Sequence, residues 1–200
     1  MDVRALYDAD RLGLLIEWVD AARDVDHGTV LQFRDGDAIQ FPEGPSFDSA
    51  SSMMGQEGAG VVIYHWKSDW PFGRSFDIDE AYPNMYADWY PYSGVPVREI
   101  PENANYLSDG LKGYLTAAAA GNAIADPLVQ EKVGPILKMR AEGFGTLEPA
   151  EAQDAGGMGV WREGRWRVAI SLPWQHGNFN FGEGNAVPFA FAVWDGSRNE

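Results

Sequence analysis

Cysteine is absent from the 200 residues. That excludes disulfides, thiolate-bound zinc, cysteine-ligated iron–sulfur clusters and covalently attached c-type haem. Positive charge is scarce: 15 Lys+Arg stand against 30 Asp+Glu, a formal net charge of −15. A surface of that sign repels a nucleic-acid duplex or an anionic membrane, so no nucleic acid is expected and any charge-steered partner should be basic. Long apolar runs are missing too, with none approaching the roughly 18 residues of a membrane span. Met1 leads straight into DVRALYDADRLGLLIEW, with neither a basic n-region nor a small-residue cleavage site. Histidine occurs only at His27, His65 and His176, in no HExxH spacing, and neither GxSxG nor GxxxxGK[ST] occurs, so hydrolytic chemistry lacks a signature. Carboxylates are so frequent that no pair stands out as a glycosidase dyad.

What is present is a core. Hydrophobic residues make up 45% and aromatics 13% of the 22.0 kDa chain, enough for one packed domain spanning 1–200. The pattern is β. VRALYDADRLGLLIEWVD alternates in two bursts, Val3, Ala5 and Tyr7, then Leu12, Leu14, Ile16 and Trp18, and reads as an antiparallel hairpin. DAIQF (37–41) and GVVIYHW (60–66) are strands bounded by Gly or Pro. In GVWREGRWRVAISL, Trp166, Val168 and Ile170 alternate with Arg165, Arg167 and Ala169 after a Glu163-Gly164 turn. PFAFAVWDGS puts Phe189, Phe191 and Val193 on one face. Helix is expected only in SDGLKGYLTAAAAGNAI, capped by Ser108 or Asp109 and stopped at Gly121-Asn122. The aromatic stretch from about 71 to 135 is expected to cover one end of an antiparallel β-sandwich, as long functional loops do.

Most tryptophans, including Trp18, Trp166 and Trp194, sit at alternating strand positions and are expected in the core; so are Met85, Met139 and Met158, since methionine ordinarily fills gaps. Met53-Met54-Gly55 differs, because SFDSASSMMGQEGAG is polar and offers a core-filling pair no alternating neighbours. A thioether on a tight loop is a soft, neutral ligand suited to haem iron. The eight tryptophans and eight tyrosines open a second reading, a carbohydrate-binding β-sandwich with a stacking platform and no cofactor.

Several stretches in order, ALYDADRLGLLIEWVDAARD, DAIQFP, Met54-Gly55 before VVIYHWKSDW, YPNMYADWYPY, AAAAGN, AEGFGTL, GVWREGRWRV and PFAFAVWDGSRNE, cover nearly the whole chain. Together they resemble the haem b (gamma) subunits of periplasmic molybdenum enzymes of the DMSO-reductase type, such as ethylbenzene and dimethylsulfide dehydrogenases and selenate and chlorate reductases. The resemblance implies a β-sandwich carrying one non-covalent haem b with methionine and lysine as axial iron ligands. Residue by residue it points to Met54, with Met53 its close competitor, and to Lys112 in LKGYLTAAAAGN, with Lys67 second and His65 third. An amine binds iron only when neutral, and burial beside a cationic metal lowers a lysine's pKa enough for that.

The same resemblance implies a periplasmic electron-transfer subunit with no reaction of its own. It would relay electrons between the iron–sulfur beta subunit that serves a molybdenum alpha subunit and a soluble carrier such as cytochrome c. Against the family pattern, a first strand and a C-terminal tail are lacking, so the chain is expected to be truncated at both ends. ISLPWQHGNFN also stands where an arginine-bearing strand is expected, so propionate and partner contacts do not carry over.

Overall fold

A computed structural model describes residues 1–25, 32–44, 53–69, 96–104, 134–176, 179–181, 184 and 186–199. The fold is mainly β, as expected, and is built on two antiparallel sheets. One sheet holds β1 (Asp2–Tyr7), β2 (Arg11–Val19), β7 (Gly156–Trp161) and β8 (Arg165–Pro173) in the order β1-β2-β8-β7. The other holds β3 (Gly36–Pro42), β4 (Val61–Lys67), β5 (Ile136–Ala141), β6 (Glu148–Pro149) and β11 (Ala190–Trp194) in the order β11-β3-β4-β5-β6. A two-stranded ribbon, β9 (Gln175–His176) with β10 (Phe179–Asn180), stands apart. Among the described residues, helix is limited to single 3₁₀ turns at Val97–Glu99 and Gly196–Arg198, and no helix is long and apolar enough to cross a membrane.

Alternation decides which face of each strand enters the core. Leu14, Ile16 and Trp18 of β2 and Trp166, Val168, Ile170 and Leu172 of β8 point at Ile39 and Phe41 of β3 and Val62, Tyr64 and Trp66 of β4. Three indoles close one end of this layer: Trp166 lies 5.0 Å from Trp66 and 6.2 Å from Trp18 between ring centroids. Burying each of these large side chains contributes about 2–3 kcal/mol. Turn chemistry sets the registers. Asp8 Oδ1 accepts from the Asp10 and Arg11 amides, which aligns Tyr7 with Leu12 across the first hairpin and holds the Asp8 carboxyl below its usual pKa. Glu163 and Gly164 both have positive φ (54° and 71°), the signature of a two-residue hairpin turn, and pair Trp161 with Trp166.

The structure bears out the opening hairpin and departs from the sequence reading at Met158 and Trp194. Val3, Ala5 and Tyr7 share a face with Ile16, Leu14 and Leu12, yet all of β1 is exposed, because it is an edge strand paired with β2 alone. Met158 is exposed instead of core: Gly157 and Gly159 take the inward positions of β7, so its side chain stands on the outer face. Trp194 is half-buried and packs on the outer face of the five-stranded sheet, away from the central layer. The expected helix at 108–122, Met85 and most of the 71–135 segment lie outside the described residues.

Candidate functional site

The five-stranded sheet is apolar on both faces. All of β3 and six of the seven residues of β4 are buried, and the outward positions form a second cluster of Ala38, Val61, Ile63, Leu137, Met139 and Ala141. A sheet with two apolar faces needs a cover on each. On this outer face a cavity of about 370 Å³ opens, floored by Ala38, Ile63, His65 and Met139 and walled by Trp194 and Ala192 of β11. Phe144 and Leu147 complete the rim from the turn after β5, and Met53 and Met54 hang over it from the loop before β4.

That loop is held rigidly. Met54 adopts φ 67°, a left-handed conformation uncommon for a side-chain-bearing residue, and Gly55 follows at φ 74°. The Met54 amide donates to Gln40 Oε1 at 3.1 Å, and its carbonyl accepts from the Gly143 amide at 2.8 Å. Gly55 is required as glycine: a Cβ would stand 2.8 Å from the Ala141 carbonyl and 2.9 Å from that of Ala59. Paired hydrogen bonds between Gln56 and Ala59 then close a small hairpin, so the thioether is presented by a fixed backbone. The facing turn is braced by Thr146, whose hydroxyl accepts from the Glu142 amide and donates to the Gly143 carbonyl.

Of the sequence-predicted residues, Met54, Met53 and His65 line this one cavity, with Met54 half-buried and Met53 exposed at its mouth. His65 is buried, its ring 5.3 Å from that of Trp194. Burial first, then the positive charges of Lys67 and Arg34, push its pKa down to about 3, so the imidazole is neutral at ordinary pH. Lys67 continues the same sheet face two residues on and is not among the lining residues. Burial lowers its pKa to about 8, with Arg34 adding to that effect and Asp69 opposing it. Arg34 is ion-paired with Asp69. Lys112 lies outside the described residues.

Sequence reasoning missed Gln40, which anchors the Met54 amide, and the role of Phe144, which is exposed at the rim. Phe144 carried a signal, a lone aromatic between two turn glycines in EGFGTL; Gln40 carried none, because it sits in a strand buried on both sides. The arrangement offers a soft thioether, a neutral imidazole and apolar walls, which suit a flat hydrophobic cofactor with a metal at its centre. No protein-family model matches the chain, and no curated protein matches it.

Proposed function

We propose that this protein binds one non-covalent haem b in the cavity on the outer face of the five-stranded sheet, with Met54 as an axial ligand, and serves as an electron-transfer subunit. The observation that carries the reading is the Met54 thioether, fixed by a left-handed backbone and two hydrogen bonds above an apolar cavity. The residues present fit the group: the walls are aliphatic and aromatic, and the donors are neutral. Lys112 is the second ligand by the resemblance, and His65, neutral and in the same cavity, is its competitor. Held by Met54 and one of these two residues, haem would supply a one-electron redox centre there.

This chain's own residues then do three things. Gln40 and Gly143 orient the methionine, Trp194 and Phe144 shield the centre from water, and buried His65 adds no positive charge to the site. A glycan fits poorly. Apart from the Trp194 indole, Gln40 and His65 are the only polar side chains lining the described cavity, too few to satisfy a sugar's hydroxyls.

Expression with haem supply tests the reading. A low-spin spectrum with a Soret band and sharp reduced α and β bands is expected. Met54→Leu should lose those sharp bands and weaken haem retention at least about tenfold, while Lys112→Ala and His65→Ala separate the candidates for the opposite ligand. A protein that stays colourless, or spectra unchanged in all three variants, overturns the assignment.

The resemblance further supports a periplasmic place beside an iron–sulfur beta and a molybdenum alpha subunit, with exchange to a soluble carrier. At a net charge of −15 the carrier of choice is a basic cytochrome c. Electron exchange with it should slow as ionic strength rises. A rate indifferent to salt removes the steering argument.

A further inference from the structure

At the end of the sandwich where the three indoles pack, four aspartates from distant parts of the chain converge. Asp20 follows β2, Asp24 lies in the turn after it, Asp35 precedes β3 and Asp195 follows β11, so the group joins segments flanking both sheets. One carboxylate oxygen from each can be chosen such that all four lie within 4.8 Å of one another. Asp20 is 3% exposed and Asp35 fully buried.

Asp35 is spoken for by the fold. Its Oδ2 accepts from the Trp166 indole and the Asp24 amide, both at 2.8 Å, and its Oδ1 accepts from the Gly196 amide at 3.0 Å. Asp195 Oδ1 accepts from the Ser197 amide and hydroxyl, and its Oδ2 faces Arg198 at 3.1 Å. Asp20 and Asp24 are different. Asp20 Oδ1 accepts from the Ala22 amide, but Asp20 Oδ2 and Asp24 Oδ2 are buried oxygens with no hydrogen-bond partner among the described residues.

We propose that Asp20, Asp24, Asp35 and Asp195 form a binding site for one divalent cation of the calcium class, which ties the β2 turn to the entry of β3 and the exit of β11. Two independent observations point there: the convergence of four carboxylates from three chain crossings, and unpartnered buried oxygens on two of them. Leaving a carboxylate oxygen buried without a partner is costly, and a cation relieves two such oxygens at once. The spacing permits one shared ion. Calcium takes oxygens at about 2.4 Å, so ligands on opposite sides of one ion stand about 4.8 Å apart, and these four oxygens, none further than 4.8 Å from another, are close enough to share one ion. Magnesium, with shorter bonds, stricter octahedral geometry and reluctant dehydration, fits a carboxylate-only cluster less well.

The electrostatics run the same way. Burial, then the charges of Asp35, Asp195 and Asp24, push the Asp20 pKa up to about 6 against the opposing hydrogen bond from the Ala22 amide. Asp24 is likewise raised, by burial and by Asp35 and Asp195. The site is separate from the methionine cavity and stands without the haem reading.

The test uses the whole chain, stripped with chelator and titrated with calcium chloride and, separately, magnesium chloride at neutral pH. Calorimetry should give one calcium per chain, and millimolar calcium should raise the melting temperature by roughly 5 °C or more, with magnesium weaker at least about tenfold. Asp20→Asn and Asp24→Asn should each weaken calcium binding at least about tenfold. In chelator both variants should melt no lower than the parent, because each removes like-charge repulsion. That last measurement separates loss of a ligand from loss of the fold. Absent binding heat with an unmoved melting temperature, or variants that bind calcium as the parent does, overturns the proposal.

Discussion

Gly159→Ala is expected to destabilise the fold by about 3 kcal/mol or more, at the upper end of what one added methyl does in a packed interior. Gly159 is an inward position of β7, and the opposing sheet sends the Trp66 indole flat against it. A Cβ at residue 159 would stand 2.6 Å from Cε2 and 2.8 Å from Cη2 of that ring, with Cζ2 nearer still. Real Cβ atoms do not approach that closely, so either the ring or the strand must move. The ring has no room: Trp66 is fully buried, edge-on to both Trp18 and Trp166. The strand is pinned by six residue pairs to β8. For a chain of this length a loss of that size lowers the melting temperature by roughly 10 °C, which thermal unfolding reads directly.

A second variant shows whether the clash is the cause. Trp66→Phe deletes the far atoms of the benzo ring, and alone it leaves a cavity that destabilises by about 1–3 kcal/mol. Combined with Gly159→Ala, the two should be less harmful than their sum by at least about 1 kcal/mol, because each removes the other's problem. Strict additivity would mean that the alanine acts elsewhere, for instance by stiffening β7, and the close approach of the sheets would lose its place in the argument.

Much of this architecture was legible because it is local. Trp166, Val168 and Ile170 alternate with polar residues, and the Glu163-Gly164 pair allows only a tight turn, so the β7–β8 hairpin could be read residue by residue. Alternation fails where both faces are buried. GDAIQFP and VVIYHWK are near-continuous apolar runs, and nothing in them says that Tyr64 and Trp66 face the facing sheet while His65 faces the cavity. The Met54 loop was singled out by its polar surroundings, and the structure adds the brace from Gln40 that no local pattern encodes. The aspartate group was invisible for another reason. Asp20 and Asp195 meet only because β2 and β11 end at the same edge of the sandwich, and among 30 acidic residues no four declare themselves.

Asp37→Asn is expected to change the pH dependence of stability more than any other single substitution considered for this chain. Asp37 faces inward from β3, paired with Trp66 on one side and Val193 on the other, fully buried, with no partner on either carboxyl oxygen among the described residues. Burial alone pushes its pKa from 3.8 up to about 8. The unfolded chain therefore releases this proton near the ordinary carboxyl value while the folded chain keeps it to about pH 8. Between those limits the native state holds more protons than the unfolded state, so stability falls as pH rises, by up to about 1.4 kcal/mol per pH unit. Below the window the carboxyl is neutral in both states and has no effect on the slope. Across it the loss comes to roughly 6 kcal/mol, a large share of a domain's total stability. Asparagine has the shape of the protonated acid and cannot ionise. In chelator, denaturant unfolding should find parent and variant within about 1 kcal/mol of each other at pH 4, near the lower limit of that window. At pH 9 the variant should be the more stable by several kcal/mol. The difference between the two proteins isolates Asp37 from the general repulsion of a chain at −15, which both share apart from this one charge. A difference that stays flat from pH 4 to pH 9 would mean that the carboxyl ionises as freely in the folded protein as in the unfolded one, and that water or a cation reaches it.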